Sequence, residues 1–277
     1  MSVDLKIVLC QMTSVDDVAR NLLQIRKLMD EIPLESGVRL FCFPENCLYM
    51  RVREGEVVPG FQLDDPVFKD LAKLAVSRRA FLHLGSVPLA LNGSMYNSSV
   101  LISDEGNFET SYQKIHLFDI QLAGQKPIRE SDVFGHGSTP GTFLVDGWKI
   151  AQTICYDLRF SEIYLHYARE GVDAILVPSA FLVKTGEAHW EVLLRARAIE
   201  SQCYILAAAQ AGHHSSTKGD GGRDTFGNSM IVEPWGAVAD RLSADHVQTS
   251  VCILRRDKIE QARKQIPMAD HRRFLPK

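Results

Sequence analysis

The chain has 277 residues, 45% hydrophobic and 23% charged, with a formal net charge of −3 at pH 7. That size and balance fit one α/β domain spanning 1–277, and no Pro/Ser/Gly-rich linker or charge-biased segment divides it. So mild an acidity gives no general pull toward nucleic acid or an anionic membrane.

No apolar run reaches the 18 residues of a membrane span, and "MSVDLKIVLCQM" lacks the charged, apolar and cleavage regions of a secretory signal. The six cysteines include no CxxC pair, which disfavours structural zinc and thioredoxin-like chemistry. Most lie in apolar runs and read as reduced core residues, so a cytoplasmic setting is expected.

In chain order, "LKIVLCQ" (5–11) reads as a strand. A helix from about Asp16 to Ile32 follows, with Val18, Leu22, Ile25, Met29 and Ile32 on one face. "VRLFCFP" (38–44) reads as a buried strand ended by proline. A helix over 65–78 leads to a strand at 80–88, and the runs 95–103 and 107–114 flank "DEG" as a hairpin.

Residues 124–141 read as a loop. A strand at 147–155 precedes a helix capped by Ser161, and "VDAILVPSA" (172–180) is the next strand. A helix over 187–202 carries Val192, Ala196, Ile199 and Cys203 on one face. "YILAAAQA" is a buried strand, "GHHSSTKGDGGRD" (212–224) a flexible surface loop, "NSMIVEPWGAVADRL" a hairpin and "TSVCILRR" a last strand. Alternating α and β with so many two-sided apolar strands predicts two packed sheets covered by helices on their outer faces.

Three stretches stand out. Glu45 in "FPENC" follows a buried strand, Lys114 in "YQKIH" ends a hairpin strand, and Cys155 in "TICYDLRFSE" ends another strand before a helix. Strand ends are where α/β sheets gather their sites. A cysteine attacks an acyl group as thiolate, a glutamate can take and return its proton, and an ammonium can hold thiolate and oxyanion. Taken singly, each has an ordinary alternative: a turn glutamate, a solvated lysine, a packed cysteine.

Together, "FPEN", "YQKIHLFD" and "TICYDLRFSE" resemble the nitrilase (carbon–nitrogen hydrolase) superfamily, with motifs running over residues 5–273. The resemblance implies a four-layer αββα sandwich of the nitrilase type, a homodimer stacked across a helical face after the nucleophile, and no cofactor or metal. It implies a catalytic Glu45, Lys114 and Cys155, with Glu130 of "IRES" positioning lysine and substrate and the Tyr156 backbone N–H completing the oxyanion hole. Ser161 stands where the family usually has proline, and either residue can begin a helix.

"PSAFLVKTGEAHWEVLLRARAIESQCYILAAAQAG" is similar to the amidase branch. The partner implied is a small-molecule amide, the γ-amide of a 2-oxo dicarboxylate. The leaving amine is cysteinylglycine for deaminated glutathione and ammonia for α-ketoglutaramate. The first is favoured by "ESQCYILAAAQAG"; another amide or carbamoyl substrate, or a non-catalytic scaffold, are the competing readings. Lys114→Ala is expected to remove most turnover and leave the fold intact.

The substrate carboxylate needs donors. Arg51 and Arg129 are the candidates, with Arg159 read as a structural ion-pair partner. Asn97, in a strand pattern, and His116, two residues past Lys114, are further candidate contacts against ordinary turn and core alternatives. His213 and His214 lack a third ligand pattern.

Overall fold

The computed structural model describes residues 4–53, 55–121, 124 and 126–274. The first half of the chain builds one sheet: β1 (Leu5–Gln11), α1 (Val18–Asp30), β2 (Leu40–Cys42), α2 (Pro66–Arg78), β3 (Phe81–Leu91), β4 (Ser94–Ile102) and β5 (Phe108–Gln113). Two short strands, β6 (Asp119–Ile120) and β7 (Ile128–Arg129), pair with each other as a separate ribbon.

The second half supplies β8 (Gly141–Val145), β9 (Trp148–Gln152), α3 (Ser161–Arg169), β10 (Ala174–Leu176), α4 (Val183–Ser201) and β11 (Tyr204–Ala207). Then come the hairpin strands β12 (Ala211–Ser215) and β13 (Gly222–Phe226), β14 (Met230–Val232), β15 (Val238–Arg241), β16 (Gln248–Leu254) and α5 (Arg256–Gln265).

The main sheets run β16-β1-β2-β3-β4-β5 and β15-β14-β11-β10-β9-β8. Period-two alternation sorts their side chains into separate cores. On β1, Leu5, Ile7 and Leu9 face Trp148, Ile150, Leu176 and Leu206 of the other sheet. Val8 and Cys10 face the other way, toward Ile25 and Met29 of α1 and Phe68 and Leu71 of α2. On the far side, Ile175 and Ile205 pack with Tyr164 of α3 and Trp190 and Leu194 of α4. The layers are therefore helices, sheet, sheet, helices: the expected αββα sandwich.

Four local expectations are corrected. Residues 124–141 are not all loop: β7 lies within them, and Gly141 opens β8 (Gln125 lies outside the described residues). β8 turns into β9 at Asp146-Gly147, both at positive φ, a hairpin signal legible in the sequence. Residues 212–224 form the ordered β12–β13 hairpin. Phe160, not Ser161, precedes the first turn of α3, without a side-chain cap.

The fourth concerns α4, which starts at Val183 and buries Trp190, Leu194, Arg197, Ala198 and Ser201. The face expected inside is outward: Val192 is 69% and Ile199 48% exposed. The inward stripe also has 3, 4 spacing, but the arginine within it disguises it. Arg197 is buried with its guanidinium donating to the Leu158 carbonyl at 2.9 and 3.0 Å.

Candidate active site

Glu45, Lys114 and Cys155 come from three strand ends. After β2, the chain makes a tight turn with Asn46 at φ 59°, held by the Ser86 hydroxyl and carbonyl, which accept from the Asn46 and Cys47 amides. Gly85 allows this approach: a Cβ there would lie 2.1 Å from the Phe43 carbonyl oxygen. Lys114 follows β5, its amide donating to the Asn97 carbonyl of β4 at 2.9 Å.

Cys155 opens a 3₁₀ turn (Cys155–Arg159) with φ 47°, a conformation uncommon for a residue with a side chain. Two anchors hold it there. Its N–H donates to the Pro178 carbonyl at 2.9 Å. Asp157, fully buried, accepts from the Ile154 amide (2.9 Å), the Tyr112 hydroxyl (2.8 Å), the His116 amide (2.9 Å) and His116 Nδ1 (2.7 Å). The first N–H groups of a helical turn lack intrahelical acceptors. With the Cys155 amide already used, the Tyr156 N–H is the next in the turn and has no acceptor among the described residues.

Lys114 is the hub. Its Nζ donates to Glu45 Oε1 at 2.9 Å and to Glu130 Oε2 and Oε1 at 2.8 and 3.0 Å. Glu45 Oε2 accepts from the Ala180 amide at 2.9 Å, and Glu130 Oε2 from the Phe118 amide at 2.6 Å. Asn97 bridges the carboxylates, its Nδ2 donating to Glu45 (3.1 Å) and Glu130 (2.9 Å). Burial by itself disfavours a charged lysine, but Glu130 and Glu45 outweigh it and hold Lys114 cationic, well above the ordinary lysine range.

Cys155 behaves oppositely. Burial and the Glu45 carboxylate push its thiol well above the ordinary cysteine range, against the opposing pull of Lys114. The resting group is a thiol beside a base, not the low-pKa thiolate a reactive cysteine suggests.

These groups line a cavity of about 590 Å³ that also includes Asn97, Arg51, Arg129, Arg159 and Tyr156. His116 is not among its lining residues. It faces Asp157 and stacks on Phe160 at 3.7 Å, so its expected place at the substrate is corrected to one behind the 3₁₀ turn. Arg159 forms no carboxylate pair among the described residues; it lies over the Tyr156 and Phe181 rings at 5.8 and 5.4 Å, on the cavity wall.

Sequence reasoning missed Arg223 of β13, also on the wall, because it lies in a stretch read as polar surface. It missed Asp157 as well, though a charge directly after a strand-end cysteine was visible. His213 pairs with Asp224 and His214 is buried against Ser14 and Thr225. Among the described residues, no group of three His, Cys, Asp or Glu side chains is placed to hold a metal ion.

A thiol, two carboxylates and an ammonium gathered in one cavity of an αββα sandwich are the make-up of an enzyme that opens carbon–nitrogen bonds by acyl transfer. The carbon-nitrogen hydrolase family model matches residues 6–264, and the chain belongs to that family.

It is similar to the deaminated glutathione amidase of Mus musculus, 37% identical and covering 96% of this chain and 83% of that protein. Among solved structures it resembles the C. elegans NitFhit protein (TM-score 0.86, 30% identity), covering 99% of this chain and 66% of that one, so it spans about two thirds of that longer protein. It also resembles Saccharomyces cerevisiae Nit3, a member of branch 10 of the nitrilase superfamily (TM-score 0.80, 25% identity, 98% and 97% covered).

Proposed function

We propose that this hydrolase cleaves the γ-amide of deaminated glutathione to 2-oxoglutarate and cysteinylglycine, with residues 1–277 working as a single catalytic domain. The observation that carries the acyl-transfer reading is the Lys114 hub, which ties Glu45 and Glu130 to one ammonium beside Cys155. Relatives named deaminated glutathione amidase, at 32–37% identity over most of the chain, support the substrate.

In this reading Glu45 takes the Cys155 proton as sulfur attacks the amide carbon. Lys114 Nζ and the Tyr156 N–H hold the oxyanion; the longer contact from Lys114 to Glu130 is the one exchanged for it. Glu45 then protonates the departing nitrogen, the carbon–nitrogen bond breaks and a thioester remains. Glu45 next deprotonates a water that attacks the thioester, releasing 2-oxoglutarate and restoring the thiol. Glu130 and Asn97 keep ammonium and base in register.

The deciding assay follows 2-oxoglutarate release from deaminated glutathione and α-ketoglutaramate, with Cys155→Ala as control. Faster turnover of deaminated glutathione, absent in the variant, is expected. Faster α-ketoglutaramate turnover makes the protein an omega-amidase, and turnover of neither refutes the substrate reading.

A homodimer in the cytoplasm belongs to the same proposal. It is supported by the outward apolar residues Val192 and Ile199 of α4, with Trp235 55% exposed, and by six cysteines without a disulfide.

A further inference from the structure

Two guanidinium groups on the cavity wall have no part in the acyl-transfer steps. Arg51 and Arg223 are half-buried and line the cavity. Among the described residues neither has a carboxylate within ion-pair distance. Other arginines do: Arg39 pairs with Asp104, Arg53 with Asp16, Arg197 with Glu200 and Arg256 with Asp173. Arg51, Cys155, Glu45 and Glu130 lie near enough to act on the Arg223 charge. Two neighbouring cations, partly withdrawn from water and unneutralised, are an arrangement completed by an anion.

The surrounding structure fixes the backbone that carries each. The β12–β13 hairpin carrying Arg223 is fastened by the Phe226 amide on the Phe181 carbonyl (3.0 Å). His214 adds contacts to the Ser14 carbonyl and the Thr225 hydroxyl, each at 2.7 Å. The hairpin tip donates the Ser216 hydroxyl and Thr217 amide to Asp16, at 2.8 and 2.7 Å.

On the Arg51 side, the Met50 amide donates to the Val15 carbonyl at 3.1 Å, and Glu56 accepts from the Val52 and Arg53 amides at 3.2 and 3.3 Å. Arg53 joins the two walls through Asp16 and the Lys218 carbonyl. With the backbone fixed on both sides, gripping a ligand costs the pair side-chain freedom alone.

We propose that Arg51 and Arg223 form the subsite for the carboxylate of the acyl group, the end of the substrate that stays on Cys155 after the amine departs. This rests on the reading of the substrate as a 2-oxoglutaryl amide. Position decides between its two carboxylates. The acyl carboxylate is joined to the reacting carbon by a short chain and must lie close to the nucleophile, and Arg223 lines the same cavity as Cys155 and Glu45, near enough to feel their charge. The leaving peptide's carboxylate lies farther out, and Arg129, exposed on the wall, suits it better. One clamp on the acyl arm then serves any leaving amine, and 2-oxoglutarate is its natural inhibitor.

The test compares wild type with Arg223→Ala, Arg223→Lys and Arg51→Ala on deaminated glutathione and α-ketoglutaramate. Each alanine variant is expected to lower kcat/KM about tenfold to about a hundredfold on both substrates alike, mainly through KM, with partial recovery in Arg223→Lys. A loss confined to deaminated glutathione assigns the pair to the leaving peptide and overturns the proposal, as does no loss.

Calorimetric titration of 2-oxoglutarate into Cys155→Ala protein reads the subsite without turnover. At least tenfold weaker binding after adding Arg223→Ala is expected; equal binding, or none to the parent, overturns it. If wild type hydrolyses neither amide while that titration behaves as expected, the substrate reading fails and the subsite stands.

Discussion

Replacing Lys114 by methionine should cost stability as well as turnover, contrary to what the sequence suggests for this position. Lys114 is 2% exposed and sits between two carboxylates, Glu45 with 5% and Glu130 with 12% of its side chain exposed. Methionine fills most of the volume, so the cavity term is small. Both carboxylates keep their neutral donors: Ala180 N–H on Glu45, Phe118 N–H on Glu130 and Asn97 Nδ2 on each. What disappears is the one cation that, among the described residues, is bonded to both.

Breaking a buried ion pair from one side costs about 3–5 kcal/mol. The partial solvent contact of Glu130 places this case at the lower end, about 3 kcal/mol, or a Tm drop of about 6 °C for a chain this long.

Urea denaturation of wild type and Lys114→Met at pH 8 measures this, with Glu130→Gln added to relieve half the repulsion. Equal stability of wild type and Lys114→Met at pH 8 would refute the argument that the ammonium is what keeps two buried carboxylates tolerable.

Glu45→Gln should lower turnover about 10²- to 10⁴-fold while iodoacetamide modification of Cys155 at pH 8 holds or quickens, because the carboxylate that raises the thiol is gone and Lys114 remains; a parallel fall in both rates would contradict this. Asp16, held at about 2 by hydrogen bonds from Thr217 and Ser216 that overcome its burial, should stabilise the hairpin fully at neutral pH. That contribution fades as pH falls below the ordinary carboxyl range and is lost through about 2, so Asp16→Asn should unfold more easily by about 1–2 kcal/mol at pH 7, with the gap to wild type closing in acid. If the proposed homodimer forms through the outward face of α4, Ile199→Glu should shift sedimentation toward monomer with the far-ultraviolet circular dichroism unchanged; a dimer of undiminished strength places the contact elsewhere, and a monomeric wild type refutes the dimer.

The parts legible in the sequence are those where local pattern and tertiary role coincide. β1 reads as two-sided because both of its faces meet a core, and Glu45, Lys114 and Cys155 announce themselves as charged or nucleophilic groups at the ends of apolar runs. Arg223 did not, because its strand is polar outside and its value lies in facing a cavity that only the folded chain encloses. His116 misled in the opposite sense: spacing from Lys114 suggested a shared face, but β5 ends at Gln113, and beyond a strand the two-residue period no longer fixes direction. α4 offered two apolar stripes, and composition could not tell the buried one from the exposed one.

The charge balance of the cavity joins these pieces into a mechanism. Lys114 against Glu45 and Glu130, with Cys155 as a neutral thiol, leaves the reacting centre with one excess negative charge. That charge suits the base that must remove a proton from sulfur, but it opposes a substrate that is itself an anion. Arg51 and Arg223 put positive charge on the wall, with no ion pair to the base among the described residues. In the proposed mechanism attraction is therefore separated from catalysis: the carboxylate is drawn in by cations that do not hold the transition state, and Lys114 exchanges its longer Glu130 contact for the charge that develops on the amide oxygen. Moving the attraction onto the centre itself, by Glu130→Gln, should tighten 2-oxoglutarate binding to the Cys155→Ala protein while depressing kcat in the Cys155 enzyme; weakened binding would show that the two tasks are not separate.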